Sequence, residues 1–143
     1  MKILALDLGD QWVGVAISDA SRILARPLTT VTSKELYSYL NTLFAKEKIA
    51  IIIVGYPKTL GGTESAQTKK VVLEKEALEK EFPLQEWILW DERLSSKQAA
   101  ALGKSDKKLE LHAKAAALVL DGYLMHLQFQ AQSASENIPD DIN

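Results

Sequence analysis

Carboxylates and one imidazole stand at three places where a strand or a helix is expected to begin or end. Asp7 closes a short apolar run just before a tight turn. Asp91 and Glu92 directly follow a second apolar run, and His112 lies near the start of a long helical pattern. Carboxylate oxygens bind Mg²⁺ and Mn²⁺, and a neutral imidazole binds several divalent ions. If the three segments meet in the fold, they would form a site for divalent cations.

Each of these residues also has an interpretation without chemistry. Asp7 could satisfy amides of the turn that follows it, and the charged pair could be the solvated end of a strand. His112 lies beside the apolar stripe of its helix, where a histidine can simply pack. Neighbouring strand residues point to opposite faces, so only one of Asp91 and Glu92 can share a face with Asp7. The longer side chain favours Glu92, and the sequence leaves both open.

Two further segments are candidates for binding phosphate. A Gly- and Pro-containing loop at 55–63 precedes a helix, where the amides of Gly62 and Thr63 could receive a phosphate while Lys58 adds charge. The loop lacks the Gly-Lys-Ser/Thr ending of a P-loop, so an ordinary surface loop is the alternative. Basic residues that could follow a nucleic-acid backbone, or simply be solvated, are Arg93, Lys104, Lys107, Lys108 and Lys114.

The pattern around these residues predicts a mixed sheet with helices on both faces. Apolar runs predict strands at 3–8, 13–17, 23–31, 49–54 and 84–90. Short links between the first three are typical of an antiparallel meander, and Pro27 indicates that the third is an edge strand. Helical spacing predicts helices at 33–48 with Ser33 as N-cap, at 63–81, at 95–103, and from Ser105 or Asp106 to about 130. This order indicates an α/β fold with a five-stranded central sheet.

Composition narrows the class of protein. The 143 residues suit one domain, expected at 1–130 and followed by a polar, disordered tail at 131–143. The chain has no cysteine, which excludes disulfides and thiolate metal sites and suits a reducing cytoplasm. We expect neither a signal peptide nor a membrane span, since no apolar run approaches the roughly 20 residues that a span needs. The net charge of −2 argues against a protein that coats duplex DNA without specificity.

Four motifs, in order and covering the chain to about residue 127, together resemble the YqgF or RuvX family of RuvC-like Holliday-junction resolvase homologues. They are Leu6-Asp7-Leu8-Gly9 with the segment 13–19, Val54-Gly55-Tyr56-Pro57 with Gly62-Thr63, the segment 91–96, and Ala115-Ala116 with Leu120 and Gly122-Tyr123-Leu124. The resemblance implies an RNase H-like fold and a nuclease that trims the 5′ end of pre-16S rRNA, or one that resolves Holliday junctions. Two departures stand out: Gln11-Trp12 replaces a basic pair of the family, and His112 replaces an aspartate.

The chemistry we expect is phosphodiester hydrolysis with two Mg²⁺ or Mn²⁺ ions, roughly 4 Å apart. Asp7, one or both of Asp91 and Glu92, and His112 would hold them. Structured RNA is expected rather than DNA as substrate, with a monomeric or homodimeric enzyme. One rival is a nucleic-acid-binding ribosome-assembly factor whose metal site has decayed. Another is a phosphotransferase, because Asp7-Leu8-Gly9 before a strand also resembles the phosphate-binding hairpin of actin-like ATPases and sugar kinases, although those enzymes need two lobes.

Overall fold

The computed structural model describes residues 1–56, 66–91 and 108–136, with the side chains of the last range described from 110 to 132. Five strands and three helices lie in these ranges. The strands are β1 (Lys2–Leu8), β2 (Trp12–Ser18), β3 (Ala25–Thr32), β4 (Ile49–Tyr56) and β5 (Glu86–Asp91). The helices are α1 (Leu36–Lys46), α2 (Ala66–Glu81) and α3 (Lys108–Glu136). The helix predicted at 95–103 lies outside the described residues.

The strands form one mixed sheet in the order β3-β2-β1-β4-β5. β1, β2 and β3 are antiparallel neighbours, whereas β4 runs parallel to both β1 and β5. The predicted meander and the five-stranded mixed sheet are therefore confirmed, and the strand that carries Pro27 lies at an edge. Because β1, β4 and β5 are parallel, their carboxyl ends meet at one end of the sheet, where Asp7 and Asp91 are found.

The sheet is covered by helices on both faces, as predicted. Leu4 and Leu6 of β1 pack with buried residues of α1 and α2, and we call this side the α1/α2 face. Ile3 and Ala5 pack with buried residues of α3, and we call that side the α3 face. Since strand residues alternate, Asp7 belongs to the α3 face.

Two helix ends differ from the prediction. α1 begins at Leu36 rather than directly after Ser33, because the Ser33 hydroxyl donates to the carbonyls of Gly9 and Asp10 instead of capping a helix. α3 continues to Glu136, beyond the predicted end near 130. The segment 131–136 contains only Ala, Gln, Ser and Glu, and so has no Gly or Pro to stop the helix. The division into a domain at 1–130 and a tail at 131–143 stays a prediction.

None of the described helices is long and apolar enough to cross a membrane.

Candidate active site

Asp7 lies between two glycines of the neighbouring strands. It pairs with Gly14 of β2 on one side and with Gly55 of β4 on the other. Directly paired residues share a face of the sheet, so the closest cross-strand neighbours of the Asp7 carboxylate carry no side chain. The Asp7 side chain itself is half-buried. Neither directly paired residue therefore places a side chain against the carboxylate, which is held by the middle strand of the sheet.

The turn after Asp7 is tightly built. The amide of Gly9 donates to the carbonyl of Trp12 over 3.0 Å, and a Cβ atom at Gly9 would lie only 2.7 Å from that same oxygen. Ser33 stabilises the turn with hydrogen bonds from its amide and its hydroxyl. The amide donates to the Gln11 carbonyl at 2.9 Å, and the hydroxyl donates to the Asp10 carbonyl at 3.2 Å. The end of β1 is therefore fixed by backbone contacts that require glycine at position 9.

His112 reaches this corner because α3 crosses β2 at Gly14. A Cβ atom at Gly14 would overlap the carbonyl group of His112 and lie 2.9 Å from the amide nitrogen of Ala113. Only glycine allows the first turns of α3 to approach β2 this closely. Gly14 is also the residue paired with Asp7, so the structure brings His112 and Asp7 to the same corner of the α3 face. The His112 side chain is half-buried there.

Asp91 is on the other side of the sheet. Trp90 pairs with Gly55 and belongs to the α3 face, whereas Asp91 pairs with Tyr56, which packs on the α1/α2 face. Asp91 and Asp7 therefore point to opposite faces. Consistent with this, no group of three histidine or acidic side chains placed to hold a metal occurs among the described residues. The structure thus separates Asp91 from the corner that Asp7 and His112 share.

Most of the remaining predicted site residues lie outside the described part of the chain. They are Glu92, Arg93, Lys58, Gly62, Thr63, Lys104 and Lys107, together with the side chain of Lys108. Lys114 is described: it lines a cleft of about 560 Å³ between α3 and the edge strand β3, which Glu110 lines as well. The predicted roles of all these residues remain predictions.

Asp10, Lys70 and Glu74 form a charged cluster at the turn after β1 that the sequence did not predict. Lys70 of α2 lies 3.3 Å from a carboxylate oxygen of Asp10, and the nearby Glu74 is partly buried. Burial raises the pKa of Glu74, and the negative charge of Asp10 raises it further. Because Lys70 follows Asp10 by 60 residues, no local sequence pattern predicts this contact. The cluster connects the turn after Asp7 to α2.

Trp90 anchors the end of β5 beneath α3. Its ring meets Tyr123 edge-on at 5.3 Å and lies 5.1 Å from the ring of His126. His126, to which the sequence assigned no role, therefore belongs to an aromatic cluster away from Asp7. This cluster fixes the strand that leads to Asp91 and Glu92.

Comparison with known sequences identifies the family. The model of the RuvX family, described as a Holliday junction resolvase, matches residues 1–126. A relative from Thermoanaerobacter pseudethanolicus is 36% identical over 134 residues, which are 87% of this chain and 96% of its own. A relative from Clostridium botulinum is 38% identical over 133 residues, again 87% of this chain and 96% of its own. A third, from Rubrobacter xylanophilus, is 42% identical over 96 residues, 67% of this chain and 69% of its own. All three carry the provisional name pre-16S rRNA nuclease.

Solved structures agree on the fold. RuvC of Thermus thermophilus in complex with a Holliday junction substrate superposes with a TM-score of 0.56 at 15% identity, covering 90% of this chain and 96% of RuvC. The same RuvC in another structure also gives 0.56, at 14% identity, covering 90% of this chain and 97% of that one. The predicted RNase H-like fold is therefore confirmed, and with the family model matched over residues 1–126 the chain belongs to the RuvX family of nucleases.

Proposed function

We propose that this nuclease hydrolyses phosphodiester bonds of structured RNA in the cytoplasm, with the 5′ end of pre-16S rRNA as its substrate and Mg²⁺ or Mn²⁺ as its cofactor. One observation carries the proposal: α3 packs onto Gly14, so that His112 stands at the corner where β1 presents Asp7. The name shared by the relatives supports the substrate. The work of such an enzyme would be a step in ribosome biogenesis.

The residues at this corner suit divalent cations. Asp7 offers a carboxylate, and Gly55, paired with it on β4, has no side chain that would crowd an ion or a phosphate. His112 offers an imidazole in place of the family's carboxylate, which lowers the negative charge of the site. Asp91 points away, so we assign the second carboxylate to Glu92, the choice that the sequence already favoured. Ions bound by Asp7, Glu92 and His112 would activate water and stabilise the leaving oxygen.

The main contribution of the protein is to position the side chains of Asp7 and His112. The hydrogen-bonded turn at Gly9 fixes the end of β1, and contact between backbone atoms fixes the start of α3 over Gly14. Both supports are backbone contacts, so the positions of the two residues do not depend on the conformations of other side chains. Rigid placement of this kind is what a hydrolytic site needs, because catalysis here depends on orientation and a preorganised field.

Substitution of Asp7 tests the proposal. Asp7→Asn keeps the size of the side chain and removes its charge, so we expect cleavage of a pre-16S rRNA 5′ leader in Mg²⁺ or Mn²⁺ to fall at least 100-fold while the melting temperature stays close to that of the wild type. Asp91→Asn is the matched control, and it should retain most activity because Asp91 lies on the opposite face. Cleavage by pure Asp7→Asn protein at the wild-type rate would refute the proposal.

Holliday junction resolution is the second candidate, because the family model carries that description and RuvC shares the fold. The same assay should therefore include a four-way DNA junction beside the RNA leader and an unstructured RNA. Titration with Mn²⁺ in a calorimeter separates both nuclease functions from an assembly factor with a decayed site. A decayed site would show no specific heat of binding, whereas an intact site should lose its heat in Asp7→Asn.

A further inference from the structure

Trp12 shares the α3 face with Asp7. On β2 it stands two residues before Gly14, the partner of Asp7, and residues two apart on a strand point to the same face. The turn residue Gly9, which directly follows β1, donates its amide to the Trp12 carbonyl. Gly9 has no side chain that could stand between the indole and the carboxylate, whereas Gly14 is covered by the backbone of α3 at His112. Diagonal neighbours of this kind are about 7–8 Å apart, within reach of a large aromatic ring.

The three tryptophans differ in what they contact. Trp87 is only 5% exposed, and its indole N–H donates to the carbonyl of Phe82. Trp90 packs under α3 with Tyr123. Trp12 belongs to neither hydrophobic core, and within the described ranges its ring stacks on no other aromatic side chain. Its position is therefore not explained by packing of the core.

The indole of Trp12 lines an open cleft of about 510 Å³. Its neighbours in this cleft include its strand partner Thr32 and the exposed Lys34, and Asp10 and Glu35 line the cleft as well. Asp10 is already paired with a lysine of α2. A volume of this order holds a small organic ligand. An aromatic face beside a hydroxyl and an ammonium group suits the base and the backbone of a nucleotide.

We infer that Trp12 is a stacking site for an unpaired nucleobase immediately beside the bond that is cut. The inference rests on the proposed function, because it takes the cut to occur at Asp7. A base inside a duplex is stacked on both of its faces, and it reaches the indole only when it is unpaired or lies at the end of a helix. The enzyme therefore selects single-stranded nucleotides at the cleavage point of an otherwise structured RNA.

Tryptophan fluorescence tests the stacking site directly. A single-stranded RNA octamer, added in EDTA so that no cleavage occurs, should quench the fluorescence of the wild type, and a blunt RNA duplex of the same sequence should quench it much less. In Trp12→Phe the quenching should disappear, although the other two tryptophans remain. Trp12→Ala should weaken binding of the octamer about 5- to 150-fold, the range that corresponds to the loss of one stacked base.

Controls separate stacking from folding and from catalysis. Phe129→Ala removes another exposed aromatic ring, on the far half of α3, and should bind the octamer like the wild type. If Trp12→Ala does not fold, Trp12→Phe still decides the question, because it keeps a ring of similar shape. Wild-type affinity in Trp12→Ala, or equal quenching by the duplex, would overturn the inference. Asp7→Asn should bind and quench normally, so continued cleavage by that variant would defeat the proposed function without touching the stacking site.

Discussion

Replacing Gly14 with alanine tests the packing that holds His112 beside Asp7. The added Cβ would overlap the His112 carbonyl and lie 2.9 Å from the Ala113 amide nitrogen, closer than carbon normally approaches backbone atoms. The first turns of α3 must therefore retreat by about 1 Å, a misplacement that can cost on the order of 100-fold in rate. Overpacking of this kind costs about 1–3 kcal/mol of stability.

The assay for Gly14→Ala has two parts. Thermal unfolding should show a melting temperature lower by about 4–12 °C, taking roughly 4 °C per kcal/mol for a domain of this size. Cleavage of the RNA leader, measured well below that temperature, should fall about 100-fold. Amide hydrogen exchange should rise in the first turns of α3, around His112, and stay low in the middle of the helix at 116–124, which packs with Ile3 and Ala5 of the sheet.

Gly122→Ala is the matched control in the same helix. A Cβ atom there would lie 3.6 Å from the indole nitrogen of Trp90, an ordinary contact. Alanine favours the helical conformation over glycine by about 1 kcal/mol, so this variant should be as stable as the wild type or more stable, with unchanged activity. If Gly14→Ala matched Gly122→Ala in stability, exchange and cleavage, the close approach of α3 to β2 would not be what positions His112.

Three further substitutions test the surroundings of the site. Ser33→Ala removes the hydroxyl that donates to carbonyls of the turn after Asp7, and should lower the free energy of unfolding in urea by about 1 kcal/mol. Glu74→Gln should raise the melting temperature at pH 7, because burial and Asp10 raise the pKa of Glu74 and the ionised form is the one that the fold disfavours. The gain should shrink as the pH falls through the raised pKa of Glu74 in the folded protein and vanish below the ordinary value of 4.5, where the carboxyl is protonated in the folded and unfolded states alike; a constant gain would contradict this explanation. His112→Asp introduces the carboxylate that the resemblance to the family implies here and should strengthen Mg²⁺ binding in calorimetry; weaker binding would argue against a ligand at this position.

Local sequence patterns predicted much of the fold. Apolar runs located all five strands, because a buried strand needs a continuous or alternating set of apolar side chains. Pro27 correctly placed β3 at the edge, since a proline has no N–H to donate to a neighbouring strand and is tolerated where that side faces away from the sheet. The carboxylate at the end of β1 was also visible in the sequence, because the glycine after it marks a turn. These signals all lie within a few residues of the feature they predict.

Contacts between segments that are far apart in the chain could not be predicted from local sequence patterns. Ser33 looked like a helix cap, yet its hydroxyl binds carbonyls of a turn more than 20 residues earlier in the chain. The choice between Asp91 and Glu92 depended on register, since the pairing of Trp90 with Gly55 decides which residues of β5 share a face with Asp7. A shift of one residue would have exchanged the two faces. Register is set by the whole sheet and its helices, so no motif around position 91 could reveal it.

The two glycines beside Asp7 have different consequences, and together they explain how a packed sheet can hold a half-buried carboxylate in its middle strand. Glycine inside a strand lowers the free energy of unfolding by roughly 0.5–1 kcal/mol relative to alanine. Each of the two glycines that pair with Asp7 therefore destabilises the sheet. At Gly14 the space is taken by the backbone of α3, which brings His112 to the corner. Gly55 lies between Asp7 of β1 and Trp90 of β5, with which it pairs on either side. Because it has no side chain, it leaves a gap between the carboxylate and the indole. Gly14 therefore allows α3 to approach the sheet, and Gly55 keeps β5 away from the carboxylate. The stability of the fold comes from the two hydrophobic cores farther along the same strands.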